Sequence, residues 1–125
     1  MKAIIVIPTY NEAQNIEQII DRILFQGIRG LEILVVDDNS PDGTGRIVEK
    51  IAQDEPNIHL MKRPGKAGLG TAYVAGFKYA LERDYDYVFE MDADFSHDPE
   101  EIPNFLEAIK TYDLVIGSRY KCGVN

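Results

Sequence analysis

Near the N-terminus an unbroken apolar, largely β-branched run, Ala3-Ile4-Ile5-Val6-Ile7, ends at Pro8. A strand that is apolar at every position has both faces buried, the situation of a parallel sheet covered by helices on either side. The run falls far short of the roughly 20 apolar residues that cross a bilayer. It is also too short for the apolar core of a signal peptide. Such a strand commits the chain to an α/β architecture.

The rest of the chain alternates to match. Asn11 with Gln14 has the form of a capping box, and Ile16, Ile19, Ile20, Ile23 and Leu24 then follow one helix face. Glu32–Val36 reads as a second strand, and Ser40-Pro41-Asp42-Gly43 turns into a helix carrying Ile47, Val48, Ile51 and Ala52. Ile58–Met61 is a short third strand; the Gly-rich stretch Arg63–Gly70 leads into a helix reaching about Arg83. Tyr87–Met91 is the fourth strand. Asp98-Pro99-Glu100-Glu101 supplies a cap, a proline at the first helical position and acid in the first turn. The helix it starts has Ile102, Phe105, Leu106 and Ile109 on its apolar face, and Asp113–Ile116 is a fifth strand. The expected fold is an open, mostly parallel sheet with right-handed crossovers and helices on both faces. The 125 residues fit one domain. No helix pattern follows the fifth strand, so the chain is expected to be a truncated piece of a larger catalytic domain.

Charge narrows the partners. With 13 Lys and Arg against 21 Asp and Glu, the net charge is −8. Nucleic acid is disfavoured, because phosphate neutralisation needs clustered cations, and anionic lipid exerts little pull. One cysteine, Cys122, excludes an internal disulfide and any cysteine-cluster metal site. A reducing, cytoplasmic setting fits that count. Any membrane contact is expected to be peripheral or through a segment outside these residues.

In an open parallel sheet, ligands bind beyond the carboxyl ends of the strands, where strand order reverses. The unusual residues fall at those ends. Pro8-Thr9-Tyr10-Asn11-Glu12 follows the first strand, Asp37-Asp38-Asn39-Ser40-Pro41-Asp42-Gly43-Thr44 the second, Asp92-Ala93-Asp94 the fourth and Gly117-Ser118-Arg119-Tyr120 the fifth. Asp92 and Asp94, one small residue apart on a loop leaving a strand, can both approach a hard cation such as Mg²⁺ or Mn²⁺. The plain alternative is that they cap the next helix, as Asp98 does. Asp37-Asp38 admits three readings: a metal site, a solvated turn, or an acceptor for a nucleobase edge or ribose with Tyr10 flanking the base. Arg63 and Lys66, among glycines before a helix, form either a phosphate cradle or a flexible loop. Arg119 could pair with a phosphate or with one of the many acids.

Together with Gly68-Leu69-Gly70-Thr71-Ala72-Tyr73 and Met91–His97, these loops resemble the inverting family 2 glycosyltransferases of the A-type nucleotide-diphospho-sugar fold, in particular the dolichyl- and polyprenol-phosphate mannosyltransferases. The resemblance runs along essentially the whole chain. It implies that Pro8, Tyr10, Glu12, Val36 and Asp38 line a guanosine pocket. It also implies that Asp92, Ala93 and Asp94 hold the diphosphate through Mg²⁺ or Mn²⁺, with Asp92 and Asp94 as catalytic and metal-binding residues. Ser96 stands where some members have a Gln that assists, and Arg119 would contact the phosphates. The implied reaction moves mannose from GDP-mannose to a polyprenyl phosphate at the cytoplasmic face of a membrane. A related transferase using UDP-glucose or another donor, with a lipid or saccharide acceptor, is the nearer alternative. A phospho-receiver domain is the distant one, and it needs an acid pair after its first strand, where this chain has Pro8-Thr9-Tyr10.

Overall fold

The computed structural model describes residues 2–65, 68–94, 98–109, 115–117 and 122–124. Four strands, β1 (Ala3–Thr9), β2 (Leu31–Asp37), β3 (Ile58–Lys62) and β4 (Tyr87–Glu90), form a parallel sheet in the order β3-β2-β1-β4. Ala3 pairs with Leu31 and Thr9 with Asp37, while Ala3 to Val6 pair with Tyr87 to Glu90 on the other side. The chain therefore steps outward from β1 to β3 and returns past β1 to place β4. That return makes the β1/β4 boundary the switch point of the sheet.

The unbroken apolar run of β1 divides by pleat parity, since successive side chains point to opposite faces. Ala3, Ile5 and Ile7 pack with α1 (Ile16–Phe25), α2 (Thr44–Asp54) and α4 (Ile102–Ile109). Ile4 and Val6 pack with Leu34 and Val36 against α3 (Leu69–Leu81), which covers the other face. The α/β class, the mostly parallel sheet and helices on both faces are thus as expected. No helix among the described residues is long and apolar enough to cross a membrane.

Two local expectations are corrected. The capping box does not form: Asn11 adopts a left-handed φ of 56°, and α1 begins at Ile16 after Asn15. The Glu12 carbonyl accepts from the backbone N–H groups of Asn15 and Ile16, so a tight turn starts the helix without a side-chain cap. The fifth strand does not extend the parallel sheet. Instead β5 (Val115–Gly117) pairs antiparallel with β6 (Cys122–Val124). β5 and β6 lie close in the chain, and strands so near in sequence can pair antiparallel but not parallel. The Asp98 cap is as expected, its side chain accepting from the Glu100 N–H ahead of α4.

At the opposite end of the strands, Glu32 on β2 accepts from the Tyr85 hydroxyl at 2.7 Å and faces His59 Nε2 at 2.6 Å. Burial pushes the Glu32 carboxyl up, but the bonds to Tyr85 and His59 outweigh it and hold the group below its ordinary value. A depressed carboxyl stabilises the fold at pH above its unfolded value, and that contribution disappears as pH falls through the folded value. Glu32→Gln is therefore expected to destabilise the chain by about 1–2 kcal/mol at neutral pH. The difference should shrink below about pH 4. Urea unfolding across pH measures it, and a difference that does not vary with pH would contradict the assignment.

Candidate active site

A cleft of about 230 Å³ opens on the α3 side of the sheet at the carboxyl ends of β1, β2 and β4. Seven expected donor-site residues line it: Pro8, Tyr10, Glu12, Asp38, Asp92, Ala93 and Asp94. Thr9, Gly68 and Ala72 complete the lining. Pro8 helps to open this gap. Thr9 bonds toward β2, through its carbonyl to the Asp38 N–H, while the Val6 carbonyl accepts from Met91 on the β4 side. By alternation Pro8 faces β4, where strand pairing has ended at Val6 and Glu90. Its missing N–H thus costs no ladder bond.

The acidic loop after β2 holds the cleft in shape. Asp37, only 3% exposed, accepts from the Thr9 hydroxyl at 2.7 Å and from both the hydroxyl and N–H of Ser40. Asp42 accepts from the backbone N–H groups of Ala13 and Thr44, each at 3.0 Å, and Ser40 Oγ accepts from the Asn11 N–H. These bonds staple the loop after β1 to the loop after β2. Asp37 is therefore a buried, hydrogen-bonded residue and not a solvated turn residue.

Asp38 is 5% exposed, and both its oxygens accept from Arg63, with Nη2 to Oδ2 at 2.8 Å. The same Nη2 reaches Thr71 Oγ1 at 3.1 Å and the Gly68 carbonyl at 3.4 Å. Arg63 thus ties the end of β2 to the start of α3. One of the two cations of the expected phosphate cradle is thus engaged with Asp38; the other, Lys66, lies outside the described residues.

Acids converge across the cleft. Burial pushes the Glu12 carboxyl up, and the charges of Asp94, Asp42 and Asp92 add to this against an opposing bond from Asn15. Tyr73 on α3 donates its hydroxyl to Asp92 Oδ1 at 2.6 Å. Burial, then the bond to Asp92, pushes that phenol above its ordinary range, so it stays protonated as a donor. Among the described residues no three His, Cys, Asp or Glu side chains form a group able to hold an ion unaided. Asp92 and Asp94 nonetheless fit Mg²⁺ or Mn²⁺ chemically, because these ions are commonly held by one or two carboxylates completed by water and substrate phosphates.

Three expected residues stand apart. Val36 is 0% exposed and packs under α3, one pleat repeat below Asp38, so its side chain forms the floor beneath the cleft and does not line it. Ser96 and Arg119 lie outside the described residues. Conversely, the sequence reading assigned no role to Tyr73 and did not pair Arg63 with Asp38. Tyr73 was visible within Gly68–Tyr73, but nothing local distinguishes it from a packing aromatic.

The chain's relationships agree with this geometry. Residues 4–125 match the model of Glycosyl transferase family 2. The undecaprenyl-phosphate mannosyltransferase of Micrococcus luteus is 50% identical over 119 residues, covering 95% of this chain and 49% of that protein. The chain thus spans about half the length of this curated relative. Among solved structures, the mannosyltransferase PcManGT from Pyrobaculum calidifontis in complex with GDP-Man and Mn²⁺ superposes with a TM-score of 0.67 at 31% identity, over 74% of this chain and 27% of that one. S. aureus TarS 1-349 in complex with UDP-GlcNAc superposes with a TM-score of 0.73 at 25% identity, over 90% and 32%. The family match excludes the phospho-receiver alternative. The chain belongs to glycosyl transferase family 2.

Proposed function

We propose that this chain is the donor-binding part of an enzyme that transfers mannose, with inversion, from GDP-mannose to a polyprenyl phosphate at the cytoplasmic face of a membrane. The observation that carries the reading is the gathering of Asp92, Asp94, Glu12, Asp38 and Tyr10 around one cleft at the switch point of the sheet. Asp92 and Asp94 would hold Mg²⁺ or Mn²⁺, which when bound offsets charge developing on the departing nucleoside diphosphate. Tyr10, 38% exposed at the rim, offers a ring face to the base, and Asp38, steadied by Arg63, offers acceptor oxygens to the base or ribose. Ser96 and Arg119 are assigned to the diphosphate by family resemblance. A phosphate acceptor needs no general base, since with a second pKa of about 6 it is mostly ionised at neutral pH. The mannosyltransferase relative and the GDP-Man complex support this donor and acceptor over a UDP-sugar.

Calorimetry with GDP, UDP and GDP-mannose, each with and without Mn²⁺, tests the reading. GDP is expected to bind more tightly than UDP and to gain affinity from the metal. Asp92→Asn and Asp94→Asn each keep side-chain shape while removing a charge beside the ion. Each should lower metal-dependent affinity tenfold or more, about 1.4 kcal/mol. Unchanged metal dependence in both variants would remove the core of the proposal, and equal affinity for UDP and GDP would redirect it to another donor.

A further inference from the structure

We infer that Arg63 is a positioning residue that sets the base selectivity of the cleft. By holding both oxygens of Asp38 it denies guanine a paired contact there, so the site takes oxopurine nucleoside diphosphates with or without the exocyclic amino group. The inference rests on the reading of Asp38 as a residue facing the nucleoside. Guanine presents two adjacent donors, its ring N–H and its amino N–H. A carboxylate with both oxygens open receives such a pair as it receives the forked donors of an arginine. Hypoxanthine keeps the ring N–H and lacks the amino group. A carboxylate fork is therefore the group that would tell these two bases apart.

In this cleft the fork is filled from within the fold. Arg63 donates Nε to Oδ1 at 2.5 Å and Nη2 to Oδ2 at 2.8 Å. Its guanidinium is held in turn by Thr71 and the Gly68 carbonyl, and the Asp38 N–H donates to the Thr9 carbonyl at 3.1 Å. A base that took both oxygens would have to expel a cation anchored on three sides. Further contacts to Asp38 only add to that occupancy. Among the other lining residues, Pro8, Gly68, Ala72 and Ala93 carry no side-chain acceptor, and Glu12 already accepts from Asn15. Ring area is left to favour a purine. Tyr10 offers a stacking face at the rim, and stacking tolerates changes in exocyclic groups.

Binding of GDP, IDP and UDP to the 125-residue chain is measured by calorimetry without metal, for wild type, Arg63→Lys and Asp38→Asn, with urea unfolding as the check on folding. In wild type IDP should bind within about threefold of GDP, and both more tightly than UDP. Arg63→Lys keeps a cation beside Asp38 but contacts it at a single point, so GDP should gain on IDP by several-fold. A wild-type preference for GDP over IDP of about tenfold or more, the size expected of one bond to a charged acceptor, overturns the inference. A GDP to IDP ratio that stays at the wild-type value in folded Arg63→Lys removes Arg63 from selectivity and overturns it as well. Should Arg63→Lys fail to fold, the wild-type ratio alone decides. Equal binding of GDP and UDP that Asp38→Asn leaves unchanged overturns the donor reading and this inference together.

Discussion

Arg63→Ala is expected to destabilise the chain by about 3 kcal/mol, the lower end of the range for removing one partner of a buried ion pair. The two side chains are 15% and 7% exposed, so the near-zero value of a surface salt bridge does not apply. Truncation removes the guanidinium from a carboxylate that is only 5% exposed. It also removes the Arg63 bonds to Thr71 and the Gly68 carbonyl, loosening the start of α3 from the end of β2. The double variant Arg63→Ala/Asp38→Ala should recover part of the loss, because it removes the buried charge. Urea unfolding of the single and double variants decides the matter. A single-variant loss below about 1 kcal/mol would mean that the pair behaves as a solvent-screened one.

Gly76→Ala should destabilise the chain by about 2 kcal/mol, although helix propensity alone favours alanine by about 1 kcal/mol. A Cβ at position 76 would lie 2.3 Å from Val6 Cγ1 and 2.9 Å from Cγ2, inside any tolerable contact. Val6 cannot yield: it is β-branched, 0% exposed and paired with strands on both sides. The helix would have to lift, drawing Tyr73 away from Asp92 one turn earlier. Val6→Ala in the Gly76→Ala background makes room at the contact and should offset part of the loss. Stability equal to or above wild type in Gly76→Ala would show that α3 moves freely over β1.

Much of the fold and site was legible before any coordinates. β1, β2 and α1 announce themselves because burial on two faces or on one helical stripe leaves a period in the sequence. The cleft was legible through a general property of parallel sheets: residues at strand ends share a side, so Pro8, Tyr10, Glu12, Asp38 and Asp92 to Asp94 were expected together. The Asn11 cap misled because a left-handed Asn and a capping Asn share the same preference for helix starts and turns. The fifth strand was legible at Asp113–Ile116, where Val115–Gly117 is a strand, but a short apolar segment carries no mark of which strand it will pair with.

Local periodicity and strand-end placement, then, were determined by the sequence alone: an α/β sheet, its helical faces, and an acidic cleft at its carboxyl edge. Tertiary structure alone decided how the acids divide their work. Asp37 bonds Thr9 across 28 residues, Asp38 bonds Arg63 across 25, and Asp92 bonds Tyr73 across 19. Each pairing depends on strand order, register and the close seat of α3 on Val6, quantities that no window of neighbouring residues encodes. Val36 and Asp38 make the point at closest range. They share a strand end and a face, yet one pleat repeat of 2 residues separates a wholly buried floor from a cleft wall.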